Sequence, residues 1–362
     1  MVSRSARSFA ERVQTRLARL DRLVADEQLD QVLANIRGVW SEGSTKPDRL
    51  LIRREFSRRL TRTMANYHDR RTPSRTDRPS ASRLISPRGA ALQLELVALF
   101  AAQCHAKAGS HQFPLRPAMA GEKGAALAWS ELVAVPTTGS SQAKRTYATR
   151  LAKRGRQIKS AIAALADPAV RLAILSTPPG LPGHYDEMEL LAEVGALQGP
   201  TWPPYHVPKK AEECFSLPLG FFLNGWQACL TDSEVALLLA IYAKRGLRTE
   251  WSGVSVQLDA ETRIRQYGLG PDVYASHRTL QEFGLLAVES DENRRSNGTV
   301  EGYEPGATLS PHKLSIIEAG FERRADEVVR SVLPGVVPGP SAASTYAQPL
   351  LGVTLKFPPS RD

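Results

Sequence analysis

Residues 267–286 read YGLGPDVYASHRTLQEFGLL, and the punctuation of this stretch decides how the chain on either side is read. Gly268 and Gly270 supply the backbone freedom of a tight turn, and Pro271 suits the first position of a new helix. That helix is expected over 271–283, with Val273, Leu280 and Phe283 on one face and Ser276 or His277 between them. Gly284 ends it, and 285–289 (LLAVE) alternate weakly as a strand. Upstream, 231–242 (TDSEVALLLAIY) form an apolar helix. Thr231 stands at its N-cap, and Glu234, three residues later, completes a capping box. A β-like run over 254–258 (VSVQL) follows, and Asp259 caps a second helix that ends near Tyr267. Downstream, a polar loop containing Asn297 and Gly298 leads to another strand over 312–317 (HKLSII). The expected order is helix, strand, helix, tight turn, helix, two strands.

That order, together with the 267–286 phrase, resembles the core of winged-helix DNA-binding proteins over residues 230–317. In such a motif the helix after the turn enters the major groove. Helix-turn-helix look-alikes also serve as protein-binding modules, and that alternative stands.

A similar order recurs earlier in the chain. Residues 89–108 are apolar on a helical period through Leu92, Leu96, Leu99 and Phe100, and 127–133 suit a short second helix. A longer pattern runs through Tyr147, Leu151, Ile158, Ile162 and Leu165, with Gly155 making it one bent helix or two. Residues 171–175 (RLAIL) and 188–192 (MELLA) then suit a β-hairpin around a proline loop at 178–182. A second winged helix and a plain three-helix bundle both fit. Lys144, Arg145, Arg150, Lys153, Arg154, Arg156 and Lys159 gather on the long helical element. Between the two units, Pro200, Pro203, Pro204 and Pro208 with Trp202 and Tyr205 suggest an extended connector lying against one domain. Residues 212–226 lead into the second core or cross between domains.

Charge is unevenly spread. Residues 1–88 hold 20 Lys and Arg against 10 Asp and Glu, which accounts for the whole net charge of +10. Residues 139–171 hold eight basic residues against one acidic residue, Asp167. Two basic patches fit contact with a phosphate backbone, and a solvated basic surface is the plainer alternative. Phe9, Val13, Leu17, Leu20 and Val24 make one apolar helical stripe, and Leu29, Val32, Leu33 and Ile36 make another. The two stripes pair as a hairpin or form a homodimer contact. Past Gly43 and Pro47, Arg53, Arg54, Arg58, Arg59 and Arg62 are expected on a second basic helix, where arginines one turn apart would track phosphates. Residues 68–87 are rich in Arg, Ser, Thr and Pro and read as a flexible basic linker.

Several chemistries find no support. A phosphate loop of the Gly-x-x-x-x-Gly-Lys-[Ser/Thr] type is absent, as is a His-x-His beside a candidate tyrosine nucleophile. Nothing assembles a nucleophile, base and stabilising group, so no enzyme and no cofactor is expected. Cys104, His105 and His111 lie close in sequence but lack the fourth ligand of a structural zinc site, and Cys104 reads as a core residue. Three scattered cysteines suit no disulfide framework, and a reducing cytoplasm is the expected setting. No apolar run approaches the roughly 20 residues that span a bilayer, so no membrane partner is expected.

The sequence therefore leads us to expect a mainly α chain with small β-wings, organised as two winged helix-turn-helix domains behind a basic helical region. The segments are 1–67 (basic helical region), 68–87 (flexible linker), 88–198 (first winged helix), 199–212 (connector), 213–333 (second winged helix) and 334–362 (poorly ordered tail). This plan resembles the tandem winged-helix replication initiators of plasmids. That resemblance implies two domains reading neighbouring parts of an origin repeat, with dimers acting as repressors and replication machinery as a partner. The basic first eighty residues lie outside that family's usual plan. In the second domain, Asp272, Ser276, His277, Arg278 and Gln281 are the expected contacts to double-stranded DNA, with Arg294 and Arg295 on the wing. A transcriptional regulator of a mobile element would use the same residues, and a protein-binding scaffold is the third reading.

Overall fold

The chain is mainly helical, with small antiparallel sheets of two or three strands, in a computed structural model that describes residues 9–59, 73–86, 89–111, 128–135, 146–186, 188–194, 203–209, 212–246, 254–290 and 310–336. Helices α1 (Phe9–Ala25) and α2 (Gln28–Glu42) pack as a hairpin, because Val13, Leu20 and Leu23 face Leu29, Val32, Leu33 and Ile36 across it. Both apolar stripes are thus used within the chain.

The next segment departs from expectation. Residues 49–53 form a strand, β1 (Arg49–Arg53), followed by a short 3-10 turn, Arg54–Phe56, where a second basic helix was expected. Its partner lies far along the chain: β1 pairs antiparallel with β4 (Cys214–Pro218), Leu51 opposite Ser216. Leu50 and Ile52 point into the core, and the Gln103 side chain completes the outer edge of the strand. Its amide donates to Leu51 O at 2.6 Å and its carbonyl accepts from Leu51 N at 2.9 Å. The expectation of a flexible linker is also corrected for 73–86. This stretch holds the turn Arg75–Asp77 and α3 (Ser80–Arg83), whose four residues are all buried.

Helix α4 (Ala91–His105) is the hub of the first unit. Every residue from Ala91 to Cys104 is buried, so it shows no polar face at all. It packs against α6 (Thr146–Ala166), α2 and β1, and α6 in turn carries α5 (Trp129–Leu132) and the hairpin of β2 (Ala173–Leu175) and β3 (Met188–Leu190). Helix α6 runs through Gly155 without interruption, which settles the bent-or-broken alternative. Residues 203–207 lie in extended contact with this unit. Tyr205 N bonds Leu190 O at 2.9 Å, Val207 N bonds Ser110 O at 3.0 Å, and the Tyr205 ring is fully buried.

After β4 come two short helices, α7 (Gly220–Leu223) and α8 (Trp226–Cys229), then α9 (Asp232–Arg245). The capping box at Thr231 and Glu234 forms as expected, and Gly246 at φ 78° ends the helix. Then follow β5 (Val256–Gln257), α10 (Ala260–Tyr267) capped by Asp259, α11 (Pro271–Tyr274), α12 (Ser276–Glu282), β6 (Leu286–Glu289) and β7 (Lys313–Ile316). The three strands form one antiparallel sheet in the order β5–β7–β6. A 3-10 turn at Glu318–Glu322, helix α13 (Ala325–Val332) and a turn at Leu333–Val336 complete the described chain, and α13 packs back on α1. Residues 337–362 of the expected tail lie outside the described residues.

One continuous apolar core runs from Val13 to Leu333. Charges cross it at a few points. Arg53, buried, makes an ion pair with Glu193, which is fully buried, and a second with Glu212 at 2.7 Å, and it donates to His206 O at 3.0 Å. Burial alone would lower the guanidinium's pKa, but the attraction and hydrogen bond of Glu193, followed by those of Glu212, raise it. Glu95 on α4 is buried near Glu193, with no hydrogen-bond partner among the described residues for either oxygen. Burial, and then the charge of Glu193, push its pKa well above the usual carboxylate value.

Two outcomes follow. Arg53→Leu strands a buried carboxylate and should cost about 3–5 kcal/mol in urea unfolding. Burial favours the neutral form of Glu95, so the stability it contributes is full below the unfolded carboxylate value of roughly 4.3 and is lost as pH rises through its folded value. Glu95→Gln should therefore gain in melting temperature relative to the parent between about pH 5 and about pH 8; an equal difference at both would contradict a protonated Glu95.

Candidate nucleic-acid interface

The turn at 268–270 aims the helix that follows it. Gly268 adopts φ 65° and closes α10, its N–H bonding Ile264 O at 3.1 Å while Leu269 N bonds Arg263 O at 3.1 Å. A side chain here would be strained by the backbone and would also meet Ser82 Oγ at 2.7 Å and the Arg78 side chain at 2.9 Å. Only glycine fits both demands. The segment read as a linker thus braces this turn.

Leu280 and Phe283 are fully buried and Val273 is partly buried, so α11 and α12 are held by one face. Asp272, Arg278 and Gln281 are exposed on the other, and Ser276 is half-buried beside them. Ser276, one turn before the buried Leu280, lies nearer the packed side, whereas Asp272, Arg278 and Gln281 present an open surface. Its charge is mixed, because Glu282 is exposed as well.

His277 does not join them, and its expected role as a DNA contact is corrected. It is buried, with Nδ1 at 2.7 Å from Tyr274 O and its ring 5.0 Å from that of His312. Burial brings its pKa down to about 4, against the Tyr274 carbonyl, with His312, Arg278 and Arg263 lowering it further, so the ring is neutral near pH 7. The guanidinium of Arg263 lies over the Tyr274 ring at 4.4 Å, and His312 accepts or donates at 2.9 Å with Ser290 Oγ. This aromatic stack seats the helix against the base of the β6–β7 hairpin. Tyr274, three residues before His277 on a helix, was the sequence signal for it. Arg294 and Arg295, expected on the wing, lie outside the described residues.

On α6, Arg156 and Lys159 are exposed and Lys153 and Arg154 half-buried. Ile158, Ile162 and Leu165 hold the opposite face in the core, so the cationic side chains follow from amphipathic spacing. Lys159 Nζ sits 5.7 Å from the Tyr185 ring in the β2–β3 loop, which ties the hairpin to the basic face. Lys144, Arg145 and the side chain of Arg150 lie outside the described residues.

The N-terminal arginines do other work than expected. Arg53 is spent on Glu193 and Glu212. Arg54 donates to Ala243 O at 3.0 Å, Arg58 to Gln266 Oε1 at 3.0 Å and Arg59 to Asp77 O at 2.9 Å, while Arg59 N bonds Gln266 O at 2.7 Å. The phosphate-tracking helix is corrected to a set of internal ties that clamp 53–59 onto α9 and α10. Arg62 lies outside the described residues.

A groove of about 990 Å³ between α2 and the 318–322 turn is lined by charges of both signs, and its Arg49 is already paired with Glu318 at 3.1 Å. Cys104 is fully buried and burial pushes its thiol up to about 12, in keeping with a core residue. No described helix is long and apolar enough to cross a membrane. No family model, curated protein or solved structure matches the chain.

The buried imidazole makes a pH prediction. A lowered folded-state pKa contributes stability that is present above the unfolded value of roughly 6.5 and is lost as pH falls through the folded value. Urea unfolding between about pH 6.5 and about pH 4 should show the parent losing on the order of 2 kcal/mol more than His277→Gln. Parallel curves for the two would place a charged His277 at the surface instead.

Proposed function

We propose that this chain binds double-stranded DNA, with α11 and α12 reading base edges and α6 gripping phosphates. The observation that carries the reading is the second unit's topology. The order of helix, strand, helix, glycine turn, two helices and hairpin, with sheet order β5–β7–β6, fits the plan of a winged helix, and Asp272, Arg278 and Gln281 on the helices after the turn are exposed. In such a plan that helix lies in the major groove.

The two helices divide the work by their charge. Asp272, Arg278 and Gln281 offer mixed, hydrogen-bonding side chains suited to selecting sequence, with the half-buried Ser276 at their edge. Arg is matched to guanine and Gln to adenine, because each makes two hydrogen bonds there. Such a face supplies little affinity by itself. Arg156 and Lys159, with the neighbouring Lys153 and Arg154, supply the counterion release that drives phosphate binding. Arg294 and Arg295 are assigned to the adjacent backbone. The first unit, with helices α4, α5 and α6 and the β2–β3 hairpin, is read as a second winged helix. Two readers in one chain suit neighbouring segments of a repeated site, which favours replication initiation on a plasmid or mobile element. A transcriptional regulator would use the same face, and origin-dependent plasmid maintenance separates the two.

The test is binding to random-sequence duplex DNA at low and moderate salt, followed by selection of enriched sites. Arg278→Ala should cost about 1–3 kcal/mol at one base position and leave other positions unchanged. Arg156→Ala and Lys159→Ala should weaken all sequences alike and each reduce the salt slope by about one. Absence of binding at low salt would refute the proposal.

A further inference from the structure

Ile174 and Leu181 are the two large apolar side chains that stand most exposed among the described residues, and both lie on the β2–β3 hairpin. Leu181 is 55% exposed at its tip, and Ile174 is 44% exposed on the strand. The tip is unusual in composition. Residues 172–183 read LAILSTPPGLPG and carry no charge at all. It is therefore no phosphate-gripping arm.

The loop nevertheless holds a defined shape. Leu181 N bonds Pro178 O at 3.4 Å, His184 N bonds Leu181 O at 3.2 Å, and Asp186 N bonds Gly183 O at 2.8 Å. His184 Nδ1 closes the loop on Thr177 O, and the His184 and Tyr185 rings meet edge to face at 4.6 Å. Pro178, Pro179 and Pro182 restrict the backbone on both sides of Leu181. Lys159 over Tyr185 sets this loop beside the exposed cations of α6. Among the described residues of the hairpin, the exposed acidic side chains, Asp186 and Glu189, lie on the returning side, with Glu187 between them in sequence.

We infer that Leu181 is an apolar wedge that enters between base pairs of DNA held by the basic face of α6, unstacking one step and bending the duplex. This rests on the DNA-binding reading above and adds the way the first unit engages its site. Exposed apolar surface costs free energy in water, and a lone leucine on a preformed loop loses little entropy when buried. Base stacks are an apolar slot of matching size, and proteins that insert Leu, Ile or Pro there kink DNA by ~20–90°. Charge complementarity selects this partner over a protein surface, because the phosphates on either side of the opened step would lie within reach of Arg156 and Lys159. Ile174 lies opposite Glu189 in the ladder, so its face carries a negative charge and stays outside the duplex.

The experiment uses the full chain and duplexes of the sequence most enriched by selection. One set carries donor and acceptor dyes at its ends, and another carries aminopurine moved stepwise through the site. Parent protein should raise end-to-end energy transfer and brighten aminopurine at one step. Leu181→Ser, an exposed change that leaves the core intact, should still bind with the parent's salt slope but lose both signals. Ile174→Ser should keep both. Arg156→Ala should weaken binding and keep both signals at saturation. If Leu181→Ser bends and brightens the DNA as the parent does, the wedge is refuted while DNA binding stands. If Leu181→Ser changes only self-association in sedimentation, the tip is a contact between copies of the chain and the wedge is likewise refuted. If the parent binds no DNA at low salt, both readings fall together.

Discussion

A single buried guanidinium holds three separated parts of this chain to one another. Arg53 ends β1, Glu193 follows β3 in the first unit, and Glu212 precedes β4 at the entry to the second. A charge taken out of water costs several kcal/mol unless it is paired and hydrogen-bonded, so none of the three segments can leave without stranding another. The β1–β4 ladder runs directly from this point, and Gln103 and Tyr205 close the space around it, Gln103 Nε2 donating to the Tyr205 hydroxyl at 2.9 Å. The constraint fixes where the two units meet.

The same chemistry engages other arginines of the first ninety residues inside the chain. Arg16 forms a two-pronged pair with Glu234, at 2.7 and 2.9 Å, and donates to Cys229 O as well. Glu234 is at that moment also the capping-box acid of α9, so one carboxylate both starts a helix and receives α1. Arg83 donates to the carbonyls of Arg78, Thr76 and Ala169 from a nearly fully buried position. Guanidinium suits this role because its several fixed donors satisfy carbonyls and carboxylates together. Counting charge along a sequence does not distinguish such ties from an exposed patch.

What could be read in advance was what the chain decides locally. Thr231, Asp259, Gly268 and Pro271 mark helix ends through local geometry, and α9 and α10 fall where these residues put them, while the single helix expected over 271–283 is divided at Ala275 into α11 and α12. The hairpin strands β6 and β7 followed from short alternating runs. β1 failed because its partner is more than 160 residues away and because Arg53, Arg54, Arg58 and Arg59 mimic the spacing of a helical face. The Ser- and Pro-rich 73–86 looked like a linker because its burial comes from partners on α9, α10 and the first unit, none of them nearby in sequence. His277 was misassigned for a similar reason: the ring that covers it, His312, arrives from the residue before β7. The exposure of Arg278 and Gln281 was legible because helical phase alone puts them away from Leu280 and Phe283.

The bracing of the glycine turn bears on what two readers in one chain can do. Arg58 and Arg59 hold Gln266, and Arg78 and Ser82 crowd Gly268, so the turn before α11 is held by the 53–82 region. That region is itself tied to the first unit through Arg53 to Glu193 and through Ser80 Oγ to Val194 O at 3.3 Å. The direction of α11 and α12 is therefore set relative to α4 and its neighbours by packed, hydrogen-bonded chain, where a flexible tether would leave it free. Units on a loose tether tolerate many spacings between their targets, while units held rigidly select one. On the proposed reading, the N-terminal region contributes to recognition by fixing the separation at which α6 and α12 meet the duplex. Arg53, Arg58 and Arg59 then matter for which spacing is bound, through the contacts they make inside the chain.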